Sequence, residues 1–192
     1  KSLYFGHAFA HRSLSVFLTH FSAPAQSLVL TSLGRYIIRE MLIRYAIQRF
    51  VVCSKPKRLL GSALQRPVFV IGLPRTGTTL LQNLMLCDQT SFRGLQFWEL
   101  HSPADTSMSD EAKQGQAKRA LSWMYRFIPE LQTIKHTQWN TFEECWYLFG
   151  HSFSVLNWDL VFQNKPYGDY LLQHPRVMHR AYREYRRRIG ML

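Results

Sequence analysis

Residues 67–81 read PVFVIGLPRTGTTLL, and this stretch decides which fold the chain is expected to adopt. The apolar run at residues 68–71 predicts a buried strand, and the helix that follows is predicted to open at Thr78 and Thr79. Between them, Gly72 and Gly77 permit backbone angles and close approaches that a side chain would block. The free N–H groups of such a loop and of the first helical turn converge on one point, where the helix dipole adds positive charge. The sequence therefore predicts an anion-binding cradle.

The loop lacks the lysine of nucleotide triphosphatases, whose pattern is GxxxxGK followed by serine or threonine. Here the glycine spacing is kept, but Thr78 stands at the lysine position. The cation within the loop is Arg75, which can make forked, charge-assisted hydrogen bonds to an anionic oxygen. This pattern argues against ATP or GTP hydrolysis and favours a ligand with a compact, less charged phosphate group.

Residues 73–81, LPRTGTTLL, resemble the 5′-phosphosulfate loop of sulfotransferases that use 3′-phosphoadenosine 5′-phosphosulfate. The arginine in the loop, GLQFWEL at residues 94–100, the segment at 142–162 and AYREYRRRI at 181–189 resemble a branch akin to tyrosylprotein and many uncharacterised sulfotransferases. The resemblance implies an α/β, P-loop-like fold with a central parallel sheet. It also implies an enzyme that moves a sulfuryl group from this co-substrate to a hydroxyl or amine acceptor, in the cytoplasm or the Golgi lumen.

A second motif of that family, an Arg-Asp-Pro turn followed by a serine that binds the 3′-phosphate, does not occur up to Leu192, and the chain starts at Lys1. We therefore expect a helical N-terminal extension over residues 1–64 and the N-terminal part of the sulfotransferase domain over residues 65–192. This portion is expected to be inactive alone. Two alternatives stay open at this point: a P-loop nucleotide kinase or NTPase relative, and a non-catalytic basic nucleotide-binding fragment.

The chemistry of sulfuryl transfer, by analogy with phosphoryl transfer, asks for charge stabilisation, a base and an acceptor pocket. Arg75 is the predicted catalytic cation, and the donor phosphate is predicted to bind at Arg75, Thr76, Gly77, Thr78 and Thr79. Glu99 is the predicted base, because a carboxylate at the open edge of a sheet beside aromatic residues can be partly desolvated. The alternative for Glu99 is an ion pair with Arg93 or Arg75, and His101 is the second candidate for the base.

Composition sets wider bounds. The chain has 24 Lys plus Arg against 12 Asp plus Glu, a formal net charge of +12, which favours anionic partners. The partners that we expect are the nucleotide co-substrate and an acceptor, and no nucleic acid. Cys53, Cys87 and Cys145 have no zinc spacing, so we expect no metal. No run of eighteen apolar residues predicts a membrane span. The sequence does not specify the oligomeric state.

Periodicity predicts the remaining elements. Helices are expected over residues 26–52, over 78–86, from a capping pattern at 107–110 to about residue 128, over 141–158, and at the arginine-rich end of the chain. Residues 92–97 are a predicted second strand, and residues 165–168 a predicted turn. Glu143 and Glu144 are expected to be charges at a helix N-terminus. Aromatic side chains at 139–158 either line the acceptor pocket or belong to the core.

Overall fold

The computed structural model describes residues 11–19, 31–54, 67–73, 76–102, 108–190 and 192. Residues 11–19 are helical and are called α1. The other helices are α2 (Ser32–Ser54), α3 (Thr78–Met85), α4 (Phe97–His101), α5 (Asp110–Phe127), α6 (Leu131–Ile134), a 3₁₀ helix (Cys145–Ser152), α7 (Asn157–Phe162), α8 (Lys165–Gln173) and α9 (Pro175–Ile189). No helix in the described ranges is long and apolar enough to cross a membrane.

The predicted α/β fold with a central parallel sheet is wrong for the described part of the chain, which contains helices and no strand. Residues 67–73 have no assigned secondary structure and no β pairing, and Val68, Phe69 and Ile71 are 61%, 63% and 89% exposed. A strand exists only as part of a hydrogen-bonded ladder. An apolar run alone therefore does not make a strand when no neighbouring segment pairs with it.

The second predicted strand, residues 92–97, is also wrong. Its end becomes the start of α4, because Gln96 and Glu99 form a capping box that begins a helix at Phe97. One antiparallel bridge, between Gln96 and Phe142, is the β pairing found within the described ranges. Around it, Phe97 N–H donates to Thr141 O and Glu143 N–H donates to Leu95 O, both at 2.9 Å. This pairing fixes residues 141–143 against the beginning of α4.

The chain forms two compact units. The first combines residues 1–61 with residues 146–191, so that α1 and α2 pack with the 3₁₀ helix and with α7, α8 and α9. Its core is aromatic: the Phe17 ring lies 4.9 Å from Trp158 and 5.2 Å from Tyr167, and all three side chains are buried. The Tyr167 hydroxyl donates to Phe153 O and accepts from Val155 N–H. Phe149 and Trp158 therefore belong to this core.

The second unit comprises residues 62–145 together with Leu192. In it α4 packs on α5, and the buried apolar side chains among its described residues are Leu86, Phe97, Leu100, Ala117 and Leu121. Helix α5 begins within the predicted capping pattern at 107–110, but the cap is Ser109, which accepts a hydrogen bond from Ala112 N–H, and not the first residue of that pattern, which lies outside the described residues. The predicted domain boundary at residue 64 stays a prediction, since spatial grouping does not test which part of the chain folds alone.

Candidate functional site

The predicted cradle lies in the second unit, at the N-terminus of α3. Gly77 is the N-cap residue and has a φ of +86°, a left-handed conformation that favours glycine. A Cβ on Gly72 would lie 2.7 Å from Cγ2 of Thr78 and 2.8 Å from Oγ1 of Thr76, so the loop folds closely over Gly72. Gly77 is therefore favoured by its backbone angle, whereas Gly72 leaves room for the side chains of Thr76 and Thr78.

The start of α3 is exposed and has no side-chain cap. This helix buries none of its residues. Thr76 is turned back on the loop, because its hydroxyl donates to Leu73 O at 2.6 Å. Thr78 and Thr79 begin the helix, and their N–H groups belong to the first turn, which has no intrahelical partners. Such a helix start is suited to holding an anion. Arg75, the predicted cation, lies outside the described residues.

Glu99 lies on α4 and both of its carboxylate oxygens are engaged. Oε1 accepts from Arg93 Nη2 at 2.8 Å, and Oε2 accepts from Gln96 N–H at 2.8 Å. Its side chain is 12% exposed, whereas the side chain of Arg93 is 62% exposed. The ion pair with Arg93 that the sequence offered as an alternative is therefore present. The role of Glu99 as a base stays a prediction. His101 ends the same short helix, with its ring 5.6 Å from that of Phe97.

Residues 135–144 bring a second group of charges to the cradle. Glu143 is buried, and its carboxylate accepts from Lys135 Nζ at 2.6 Å and from the Thr137 hydroxyl at 2.9 Å. Glu144 is partly exposed, and its Oε1 lies 3.4 Å from the Thr79 hydroxyl and 3.9 Å from Lys135 Nζ. Thr79 and Glu144 are thus the described site residues that directly link α3 to another segment.

Sequence reasoning missed this contact. It placed Glu143 and Glu144 in the first turn of a helix over residues 141–158, but that helix does not form. The chain instead forms a 3₁₀ helix that starts at Cys145. Phe153, which has a φ of +51°, then separates this helix from α7. Thr79 and Glu144 are 65 positions apart. No local pattern predicts that proximity, which depends on the pairing of residues 141–143 with the start of α4.

Three comparisons with known proteins bear on this site. The model of the sulfotransferase family matches residues 67–184, which include the cradle, Glu99 and Glu144. The fold matches that of sulfotransferase STF1 from Mycobacterium tuberculosis with a TM-score of 0.72 at 24% sequence identity. That match covers 95% of this chain and 50% of the solved chain, so the chain spans about half the length of that protein. A search of curated proteins finds no significant match.

The family match covers more than half of the 192 residues, and the chain belongs to the sulfotransferase family. This confirms the expected family. The likeness to the mycobacterial structure concerns the fold alone. The assignment to the arginine-loop branch, the co-substrate and the individual site residues stay predictions.

Proposed function

We propose that this chain supplies the donor-binding part of a sulfotransferase that uses 3′-phosphoadenosine 5′-phosphosulfate. The observation that carries the proposal is the turn at Gly77. It opens α3 in the left-handed conformation, within the residues that the sulfotransferase family model matches, and Thr78 stands where a triphosphatase has lysine. The 5′-phosphate side of the donor binds at residues 75–79.

In the proposed reaction, an acceptor hydroxyl or amine attacks the sulfur atom in line with the bond to the 5′-phosphate. The new bond from acceptor to sulfur forms as the sulfur–oxygen bond to that phosphate breaks. The products are the sulfated acceptor and 3′,5′-adenosine bisphosphate. Negative charge collects on the departing phosphate oxygen, where the N–H groups of Thr78 and Thr79 and the guanidinium of Arg75 stabilise it.

Glu99 takes the acceptor's proton in this proposal. Its carboxylate is oriented by Arg93 and by the Gln96 N–H, so it is held in one position before the acceptor arrives. His101 is the second candidate for this role. Because Arg93 and Glu99 form a close ion pair, the acceptor competes with Arg93 for one of the two carboxylate oxygens.

Two observations favour a transferase over a kinase or NTPase relative. The sulfotransferase family model matches the chain, and Thr78 stands at the position of the triphosphatase lysine. A non-catalytic nucleotide-binding role differs from the proposal in one measurable property, the absence of turnover. That property is tested by transfer of a radiolabelled sulfuryl group from the phosphosulfate to a panel of hydroxyl and amine acceptors, using the full-length protein.

Arg75→Ala is the informative variant in that assay. Losing one preorganised charge-stabilising donor typically costs about 3 kcal/mol, or roughly a hundredfold in rate. Arg126, an exposed arginine in the last turn of α5, gives the matched control Arg126→Ala. We expect Arg75→Ala to lose about a hundredfold in turnover with an unchanged melting temperature, and the control to keep its rate. Turnover within a few fold of wild type would make Arg75 a loop residue only.

A further inference from the structure

One oxygen atom joins the cradle to the charged group of residues 135–144. Oε1 of Glu144 lies 3.4 Å from the Thr79 hydroxyl, which donates to it, and 3.9 Å from Lys135 Nζ. Thr79 is the second residue of α3 and belongs to the predicted phosphate cradle. A carboxylate oxygen therefore occupies a position at which a hydroxyl donor and an ammonium group both favour an anionic oxygen.

The neighbouring residue Glu143 differs from Glu144 in its burial and in the length of its contacts. The side chain of Glu143 is 1% exposed and holds Lys135 at 2.6 Å, together with the Thr137 hydroxyl. The side chain of Glu144 is 42% exposed, and both of its contacts are longer than an ordinary strong hydrogen bond. Glu143 therefore fixes Lys135 in place, while Glu144 is held weakly and can be displaced.

A ligand phosphate at the cradle needs the same hydroxyl that Glu144 now accepts from. It also approaches a negative charge, which disfavours binding by simple Coulomb repulsion. The repulsion grows with the number of negative charges that the ligand brings to Thr79. A phosphosulfate group carries fewer charges than a triphosphate, because the sulfuryl group is a monoanion.

We propose that Glu144 is a built-in competitor for the donor anion, which weakens all anion binding at Thr79 and weakens it most for ligands of high charge. Lys135, fixed by Glu143, partly offsets the charge of Glu144. The inference rests on the proposed function, since it assigns a charge-selecting residue to the same cradle. Glu144 is then a determinant of donor specificity, and its effect adds to that of Thr78 at the lysine position.

Glu144→Gln is the direct test, since it removes the charge and keeps the shape and the acceptor oxygen for Thr79. Glu130→Gln is the matched control: Glu130 is an exposed carboxylate of the same unit, so both variants change the net charge equally. Calorimetry at low ionic strength compares the binding of 3′,5′-adenosine bisphosphate and of ATP to the wild type and both variants. Melting temperatures show whether the variants are folded.

We expect Glu144→Gln to bind the bisphosphate about three- to tenfold more tightly, and to gain more for ATP. The gain should shrink at about 0.5 M salt, where charges are screened over a few ångströms. The control should bind like the wild type. Equal or weaker binding by Glu144→Gln, beside a wild type that binds the bisphosphate, would overturn this inference and leave the proposed function standing. Absence of bisphosphate binding in all three proteins would overturn both.

Discussion

Glu99 serves two purposes in the proposed account, and they can be separated. As the third residue of α4 it completes the capping box with Gln96, and glutamine serves in that motif as well as glutamate. As a base it needs the carboxylate, which glutamine lacks. The structural role therefore survives Glu99→Gln, and the chemical role does not.

We predict that Glu99→Gln lowers turnover by at least about a hundredfold, in the range that general base catalysis contributes, while donor binding and melting temperature stay close to wild type. Steady-state kinetics, calorimetry with 3′,5′-adenosine bisphosphate and a thermal melt measure the three properties. If turnover were unchanged, Glu99 would be a helix cap and an ion-pair partner only. Attention would then pass to His101.

At the scale of elements, the arginines near the end of α9 differ in burial. Among the clustered arginines of its last turns, Arg183, Arg186 and Arg187 are exposed, and Arg188 is buried at 2% exposure. Arg188 donates to Leu148 O at 2.8 Å and to Glu184 at 3.1 Å. Arg49 of α2 also holds Glu184, at 2.6 Å. The helix is therefore attached to the 3₁₀ helix and to α2 by buried, charged hydrogen bonds.

We predict that Arg188→Ala destabilises the protein by about 2–4 kcal/mol, because it leaves Leu148 O without this donor and removes one of two cations beside a nearly buried Glu184. Its neighbour Arg187 is exposed, and Arg187→Ala should change stability by less than about 0.5 kcal/mol. Urea unfolding of both variants measures the difference. Equal effects of the two substitutions would show that burial of Arg188 contributes nothing to stability.

The elements predicted correctly are those whose ends carry local chemistry. Helix α3 starts at Thr78, after its left-handed glycine, and α5 starts after Ser109, within the predicted capping pattern at 107–110. The last helix is predicted only by its arginine-rich end, and it starts at Pro175, where proline suits the first helical turn. The same chemistry explains one error: residues 165–168 were expected to be a turn, yet Asn164 caps them and Pro166 stands at the start of α8. The sequence Lys-Pro-Tyr-Gly at residues 165–168 fits a turn as well as a helix start.

The errors of larger scale come from non-local pairing. Residues 68–71 and 92–97 have the composition of strands, but a strand needs a partner elsewhere in the chain, which composition does not show. The candidate site shows the same division between local features, which the sequence predicts, and non-local contacts, which it does not. The glycine loop and its threonines follow from local sequence, whereas the contact between Thr79 and Glu144 depends on how distant segments fold together.

At the scale of the whole molecule, the first unit contains a buried imidazole with consequences for pH. His151 is fully buried, with Nδ1 3.1 Å from Leu148 O and Nε2 in contact with the side-chain oxygen of Gln48. Burial, and then the positive charge of Arg188, hold the pKa of His151 well below its usual value of 6.5. The folded protein therefore keeps this imidazole neutral at pH values where the unfolded chain protonates it.

Because the unfolded state binds the extra proton, the free energy of unfolding falls as the pH drops below about 6.5. We predict that the loss between about pH 7 and pH 5 is smaller in His151→Gln than in the wild type, although that variant is less stable at neutral pH. The exposed His179 provides the control His179→Gln, which should retain the wild-type dependence. Urea unfolding at several pH values measures it. Identical pH dependence in all three proteins would contradict the buried, neutral state of His151.

The central claim is that the cradle at Gly77 binds the 5′-phosphate side of an adenosine phosphosulfate and not a nucleoside triphosphate. Calorimetric titration of the full-length protein with 3′,5′-adenosine bisphosphate, and separately with Mg-ATP, tests it most directly. We expect clear binding of the bisphosphate and binding of Mg-ATP at least about tenfold weaker, a difference of about 1.4 kcal/mol. Tighter binding of Mg-ATP than of the bisphosphate would contradict it.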